Sequence, residues 1–196
     1  MNLAKREDKL KVIEIFKESY MANPHVRFLL GDRMLVFRMQ LLASYVFDIA
    51  FKRNGVYLST DREGVVVMFP MDKIKLSFGE KLKQLSMVIL AFNLSRILRI
   101  KQIESEIQQV RGGKPSDYYV WFYGVSNKGR HQQTARALMH AMFQMAQTLE
   151  IALIAETSIA RNKMIYERYG FETYKVHHYE FRVYFMRRAH TTQKVN

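Results

Sequence analysis

Residues 118–125, which read YYVWFYGV, constrain the fold more than any other part of the chain. A strand that is apolar on both faces lies in the middle of a sheet that is covered on both sides. Helical spacing follows, with apolar residues at intervals of 4, 3 and 4 at Leu138, Met142, Met145 and Leu149. A second apolar run occupies residues 151–155. The sequence therefore predicts a central strand, a short loop, a helix and another buried strand.

Weaker patterns supply the remaining elements of a mixed sheet. The first half predicts two helices and then a hairpin, with Asp32 as the N-cap of the second helix. Pro24 ends the first helical pattern. The predicted strands lie at residues 56–60, 65–69, 171–176 and 179–186, with a short first strand at 2–4. A short helix at residues 160–169 ends at Gly170.

Residues 72–110 predict helices between the hairpin and the central strand. We expect one domain over residues 1–196, with this helical insertion at about 72–112. Its most apolar part, residues 85–94, meets charged residues well before the roughly 20 positions that a membrane span needs. Two interpretations of this stretch stay open: a helix that faces the core or a partner, and a basic amphipathic helix on a membrane surface. No secretory signal is recognisable, so we expect a cytoplasmic protein without a transmembrane segment.

The charge and the missing cysteine narrow the chemistry. The chain has 31 Lys and Arg against 18 Asp and Glu, a net charge of +13. Such a surface favours polyanions: nucleic acid, an acidic membrane or a phosphate-rich small molecule. The chain contains no cysteine, which excludes disulfides, thiolate nucleophiles and cysteine zinc sites. A metal site at His177 and His178 is disfavoured, because neighbouring strand residues point to opposite faces.

The loop after the central strand is a candidate phosphate site. It runs from Ser126 to Ala135 and turns into a helix, whose first amides lack intrahelical partners and whose dipole is positive there. Candidate ligand-binding residues in this loop are Arg130, His131, Gln132, Gln133, Thr134 and Ala135. The alternative interpretation is an ordinary solvated basic turn.

Two motifs resemble the GNAT acetyltransferase superfamily. After its fourth strand the family carries Gln or Arg, two residues, Gly, one residue, and Gly or Ala. Arg130 and Ala135 match that pattern, whereas Gln133 stands where the family has glycine. The second motif is an Asn four residues before a Tyr, with Gly-Phe ending the helix, and it matches Asn162, Tyr166 and Gly170-Phe171.

The resemblance implies a fold: an α+β domain of three α/β/α layers, with a central mixed and mostly antiparallel sheet splayed between its fourth and fifth strands. It also implies acetyl-CoA as co-substrate, with no metal, and direct transfer of the acetyl group to an amine of a small molecule or peptide. By the same resemblance, the backbone near Val125 pairs with the pantetheine arm, Asn162 helps hold that arm, and Tyr166 protonates the departing thiolate. Glu156 is the first candidate for the base, and Glu63 is a weaker one.

Other functions stay open. Gln133, and the absence of a carboxylate from the fourth strand, favour a CoA-binding regulator without catalytic activity. The net charge and 11 tyrosines would suit a nucleic-acid-binding module, but the aromatic residues lie in apolar segments rather than among basic ones, so a nucleic-acid partner is disfavoured. The acceptor amine and the oligomeric state, including a homo-oligomer, are left undetermined.

Overall fold

The computed structural model describes residues 1–92, 94–131, 133–179 and 181–190. The first half contains strand β1 (Asn2–Leu3), helices α1 (Lys9–Tyr20), α2 (Pro24–Leu30) and α3 (Leu35–Phe51), and strands β2 (Val56–Leu58) and β3 (Gly64–Pro70). Helices α4 (Phe78–Ala91) and α5 (Ile97–Val110) follow. The second half contains β4 (Tyr118–Val125), α6 (Asn127–Arg130), α7 (Thr134–Thr148), β5 (Leu153–Thr157), α8 (Ala160–Arg168), β6 (Glu172–His178) and β7 (Arg182–Arg188).

The strands form one mixed sheet. In the described part of the chain it has seven strands in the order β1-β2-β3-β4-β5-β7-β6. Among these seven described strands, β4 and β5 are the one parallel pair, and every other neighbouring pair is antiparallel. The predicted mixed and mostly antiparallel sheet is therefore confirmed.

Strands β4 and β5 are paired at one end and diverge towards the other. β4 pairs with β3 from end to end, but it pairs with β5 only from Tyr118 to Val120. Within the described ranges, no strand pairs with the remaining residues of β4 on that side. A register shift between Val67 and Met68 also leaves Trp121 of β4 unmatched, which is a β-bulge beside the point of separation. The predicted splay between the fourth and fifth strands is confirmed.

Alternation along β3 explains the two layers of helices. Val65 and Val67 point into one core, which they share with α1 and α3, while Val66 and Met68 point into the other, which they share with α7. Successive strand residues face opposite sides, so an apolar β3 needs cover on both faces. The three-layer arrangement predicted from the sequence is confirmed.

One predicted helix start is wrong, and one helix was not predicted. Pro24 does not only end α1; it begins α2, where Asn23 caps the helix by accepting a hydrogen bond from the Val26 amide at 3.2 Å. Proline suits the first turn of a helix because backbone amides there have no carbonyl acceptor within the helix, so its missing N–H removes no hydrogen bond. Asp32 does not cap α3. It is exposed and pairs with Arg27, and Met34 precedes the helix instead.

The segment between β3 and β4 folds as the helices α4 and α5. Helix α4 begins at a capping box of Ser77 and Glu80, and Arg53 binds the Glu80 carboxylate with two contacts of 2.8 Å. Helix α5 buries Ile100, Ile103 and Ile107. The assignment of this segment as an insertion in a single domain stays a prediction.

Among the described residues, no individual helix is long and apolar enough to cross a bilayer. Helices α2 and α3 reach the required length and composition only as a pair, and a bend of 103° separates them.

Candidate active site

The free edge of β4 forms one wall of the candidate site. Tyr20 from α1 meets this edge: its hydroxyl donates to the Tyr123 carbonyl and accepts from the Tyr123 amide, both at 3.0 Å. Ser19 donates to the Val125 carbonyl at 3.0 Å. Backbone groups of alternate residues point to the same side of a strand, so the Val125 amide also turns towards this edge. The Val125 amide therefore faces the open side of β4, and its predicted role with the pantetheine arm stays a prediction.

A cavity occupies the gap between β4 and β5. The empty space within it and at its opening to solvent together is about 350 Å³, so the enclosed part is smaller. Side chains from both strands and from α1, α7 and α8 line it, among them Tyr20, Trp121, Glu156 and Tyr166. The gap thus brings the two predicted catalytic residues, Tyr166 and Glu156, to one cavity.

Tyr166 is half-buried on α8, where it packs against Phe171 with ring centroids 5.6 Å apart. Burial, with smaller effects of Tyr20 and Tyr123, raises the pKa of Tyr166 above its usual value. Burial also raises the pKa of Tyr20 to about 12. A raised pKa keeps the Tyr166 hydroxyl protonated at neutral pH, as a proton donor must be, and also makes it a weaker acid.

Asn162 lies one turn before Tyr166 on the same helix face, as its spacing predicts. Its side chain is half-buried. It is thus on the Tyr166 side of α8, and its role stays a prediction.

The loop after β4 is held by a buried carboxylate. Ser126 caps the short helix α6 by accepting from the Gly129 amide at 2.9 Å, and its hydroxyl donates to Glu63 at 2.6 Å. Lys11 and Lys128 also bind Glu63, at 3.0 and 3.3 Å. Hydrogen bonds from Ser126 and Lys11 lower the pKa of Glu63. The Glu63 carboxylate therefore fixes the loop and is a weak base. This counts against Glu63 as the catalytic base, for which it was the weaker candidate.

Helix α7 begins later than the sequence indicates, at Thr134 rather than directly after Arg130. Gln133 precedes it with φ of 53°, in the left-handed region, and makes no side-chain cap. The first amides of α7 therefore receive no hydrogen bond from the N-cap side chain, which leaves them available to an anion.

The side chains of the predicted phosphate loop divide into two groups. Arg130, His131, Gln133 and Ala135 are exposed. Thr134 is buried and donates its hydroxyl to Asp61, so only its backbone faces the loop. Gln132 lies outside the described residues. The exposed set surrounds the start of α7 with two basic side chains, Arg130 and His131.

Glu156 is bound on both oxygens. Arg111 approaches it with Nε–Oε1 and Nη2–Oε2 distances of 2.5 and 3.1 Å, and the Tyr119 hydroxyl donates to Oε2 at 3.2 Å. The carboxylate and the guanidinium are largely buried, with side chains 13% and 11% exposed. A bidentate partner of this kind stabilises the charged carboxylate. Glu156 lines the cavity, but in this arrangement it does not present a free basic oxygen.

The sequence did not indicate several residues around the gap. Tyr20, Arg111 and Tyr119 reach it from distant parts of the chain. The Tyr179 hydroxyl is buried without a hydrogen-bond partner in the described structure, and burial, with smaller effects of nearby glutamates that include Glu156, raises its pKa. His25 stacks on Phe181 close by, at 4.5 Å. In the sequence, the one sign of these contacts was the tyrosine content of the predicted strands, which does not indicate the partner of each hydroxyl.

The residues present fit a ligand with a diphosphate and an extended arm. The first amides of α7 and the basic side chains near them suit the diphosphate. On the open edge of β4, Tyr20 and Ser19 occupy the Tyr123 groups and the Val125 carbonyl, so the Val125 amide is the group offered to an arm. In the described ranges, no group of three or more His, Cys, Asp or Glu side chains could hold a metal ion.

Known protein structures resemble this fold over nearly the whole chain. A Corynebacterium glutamicum protein, described as histone acetyltransferase HPA2 and related acetyltransferase, is 16% identical, with 98% of this chain and 96% of that chain covered and a TM-score of 0.65. Arylalkylamine N-acetyltransferase 2 from Aedes aegypti is 12% identical, with 97% and 98% covered and a TM-score of 0.65. A GNAT-family protein from Desulfovibrio desulfuricans is 14% identical, with 94% of each chain covered and a TM-score of 0.54.

The chain therefore has the fold of the GNAT acetyltransferases, as the two sequence motifs predicted. No protein-family model matches the sequence, and no curated protein matches it significantly. At identities of 10 to 16%, this likeness concerns the fold.

Proposed function

We propose that this protein is an acetyl-CoA-dependent N-acetyltransferase that transfers an acetyl group directly to an amine of a small molecule or peptide. The observation that carries the proposal is the gap between β4 and β5, whose cavity is lined by Tyr166, by Glu156 and by two methionines of α7. The acetyltransferases of the same fold support the proposed reaction class. The expected cytoplasmic location stays a prediction.

The proposed binding site uses backbone more than side chains. The amides of Gln133, Thr134 and Ala135 would bind the diphosphate, and Arg130 and His131 would add positive charge. The Val125 backbone would pair with the pantetheine arm, and Asn162 would bind it from α8. Acetyl-CoA, when bound, supplies an acetyl group activated as a thioester.

The proposed reaction is a single displacement. The acceptor amine attacks the thioester carbonyl itself, because the chain has no cysteine to form a thioester intermediate. A backbone amide at the free edge of β4 would stabilise the negative charge on that carbonyl oxygen. Tyr166 would give its proton to the departing thiolate sulfur, and the products are an amide and free CoA.

An acceptor amine in its ammonium form must lose a proton first. Glu156 is the proposed base, acting through a water molecule. Arg111 holds both of its oxygens, so this role requires the ion pair to loosen when the acceptor binds. The Tyr179 hydroxyl and the His25 ring would contribute to the acceptor side of the gap.

A CoA-binding regulator without catalytic activity is the second candidate. Two observations favour it: Tyr20 already occupies the Tyr123 backbone groups on the free edge of β4, and Arg111 occupies Glu156. Acetyl transfer to any member of a broad panel of amines would exclude this candidate.

Replacing Tyr166 by phenylalanine tests the acid role. We expect Tyr166→Phe to lower kcat roughly a hundredfold while leaving the affinity for CoA, measured by calorimetry, nearly unchanged. The ring still fills its place in the core, so the loss reports the proton. CoA release with an accepted amine measures the rate.

Tyr169→Phe is the matched control, because Tyr169 is also a half-buried tyrosine at the end of α8 and packs against Phe143. This control should keep the activity of the unaltered protein. Full activity of Tyr166→Phe would remove the proposed acid, whereas equal losses in both variants would indicate a structural effect.

A further inference from the structure

Helix α4 carries an apolar stripe on its outer side. Phe78, Leu82, Leu85 and Ile89 are 87%, 62%, 54% and 54% exposed. They recur at intervals of 4, 3 and 4 residues, so they follow one line along the helix. Exposed apolar side chains are common singly, but a row of four along one helix indicates a surface that meets another apolar phase.

The position of the stripe is fixed by the opposite face of the same helix. Glu80, Met87 and Ala91 are buried. At 100° per residue the four exposed side chains fall within about 60° of each other, and the buried ones lie opposite them. The Arg53–Glu80 ion pair ties the start of α4 to the end of α3. The helix therefore cannot turn its stripe into the core without breaking this pair.

The segment around the stripe is strongly basic. Residues 72–101 contain seven Lys and Arg against two acidic residues, Asp72 and Glu80. Glu80 is buried and neutralised by Arg53, so it does not contribute to the outer charge. Lys81 and Lys83 are exposed on either side of the stripe, and Leu98 is 80% exposed further along the segment.

We propose that α4 lies in the headgroup region of a membrane rich in anionic lipid, with its stripe in the acyl boundary. An apolar stripe flanked by lysines is the arrangement of an interfacial helix, because the side chains enter the lipid while the ammonium groups meet the phosphates. A second copy of the chain fits less well. A symmetric contact of two stripes would bring the flanking lysines of both copies together, with like charges opposed. The proposal is independent of acetyl transfer.

Co-sedimentation with lipid vesicles tests the proposal. We expect the protein to bind vesicles of two parts phosphatidylcholine to one part phosphatidylglycerol at low salt, and not vesicles of phosphatidylcholine alone. Leu82→Ser/Leu85→Ser should weaken binding at least about tenfold. Lys81→Glu/Lys83→Glu should also weaken it, and added salt should weaken binding of the unaltered protein.

Matched controls replace similar residues elsewhere. Leu10→Ser/Leu149→Ser removes two exposed leucines, and Arg168→Glu/Lys175→Glu reverses two exposed charges. Both should bind vesicles like the unaltered protein. Circular dichroism and thermal unfolding check that each variant is folded.

Three results would overturn the proposal. The first is no binding to the anionic vesicles at low salt, and the second is unchanged binding by Leu82→Ser/Leu85→Ser. The third is a dimer, detected by analytical ultracentrifugation, that this variant dissociates while the vesicles bind neither form. That last result would assign the stripe to a second copy of the chain.

Discussion

Gln133 holds a backbone conformation that suits glycine. Its φ of 53° puts it in the left-handed region, where a Cβ atom is unfavourable. The GNAT pattern has glycine at this position, so the sequence departs from the pattern while the backbone keeps the corresponding shape. The strain is thus localised at the residue before the amides that the proposed diphosphate needs.

Gln133→Gly should therefore stabilise the protein by about 1 kcal/mol, because the left-handed cost of roughly 1–2 kcal/mol exceeds the entropy cost of glycine. Denaturant unfolding measures the change. Gln133→Ala is the control: it shortens the side chain but keeps the Cβ atom, so it should bring no gain. Equal stability of the glycine variant and the unaltered protein would contradict the strain.

At the scale of residues, the sequence predicted what local spacing determines. Asn162 and Tyr166 share a face because they are one helical turn apart. The partners of these residues could not be predicted in the same way. Tyr20 reaches Tyr123 across 103 positions, and Arg111 reaches Glu156 across 45. Such pairs depend on how whole elements pack. The sequence therefore could not show that Arg111 binds Glu156, the predicted base.

At the scale of elements, a buried ion pair joins the end of α3 to the start of α4, beside the apolar contacts of the two helices. The Arg53 and Glu80 side chains are 9% and 7% exposed. Hydrogen bonding from Arg53 lowers the pKa of Glu80 to about 2, against a burial effect of opposite sign. A lowered pKa in the folded state adds stability above the unfolded value of about 4.5, and this contribution is lost as the pH falls towards 2.

Glu80→Gln should therefore cost about 3 kcal/mol at neutral pH, since it leaves a buried guanidinium without its charge partner. Below pH 4.5 the variant should lose less stability than the unaltered protein, and the two curves should converge. Urea unfolding from pH 7 to pH 2 measures both. Glu7→Gln, which alters an exposed pair with Lys5, should leave the curve unchanged. A constant difference between the two proteins over this range would contradict the assigned pKa.

Helix starts were the weakest predictions at this scale. An Asn before a Pro is a strong start signal, and Asn23-Pro24 could have predicted α2. Asp32 has an acceptable cap side chain, but Arg27 binds it instead. The start of α7 was missed because Ser126 nucleates the short helix α6 first, and a left-handed residue then separates the two helices. In each case more than one residue had a side chain suited to begin the helix, and contacts with other parts of the chain determined where the helix starts.

At the scale of the whole molecule, the order of elements and two apolar central strands were enough to predict the sheet and its two helical layers. The splay was predicted from the resemblance of residues 118–171 to the GNAT pattern. The outward direction of the α4 stripe could not be predicted from the sequence, because a helical apolar pattern does not show which side of the helix meets the core. The burial of Glu80 and Met87 on the opposite face decides this point.

A crystal structure with CoA at saturating concentration tests the central proposal most directly. We expect the diphosphate to accept hydrogen bonds from the amides at the start of α7, and the sulfur end to lie beside the Tyr166 hydroxyl, between β4 and β5. CoA bound elsewhere, or no CoA bound and the gap unchanged, would contradict the proposed active site.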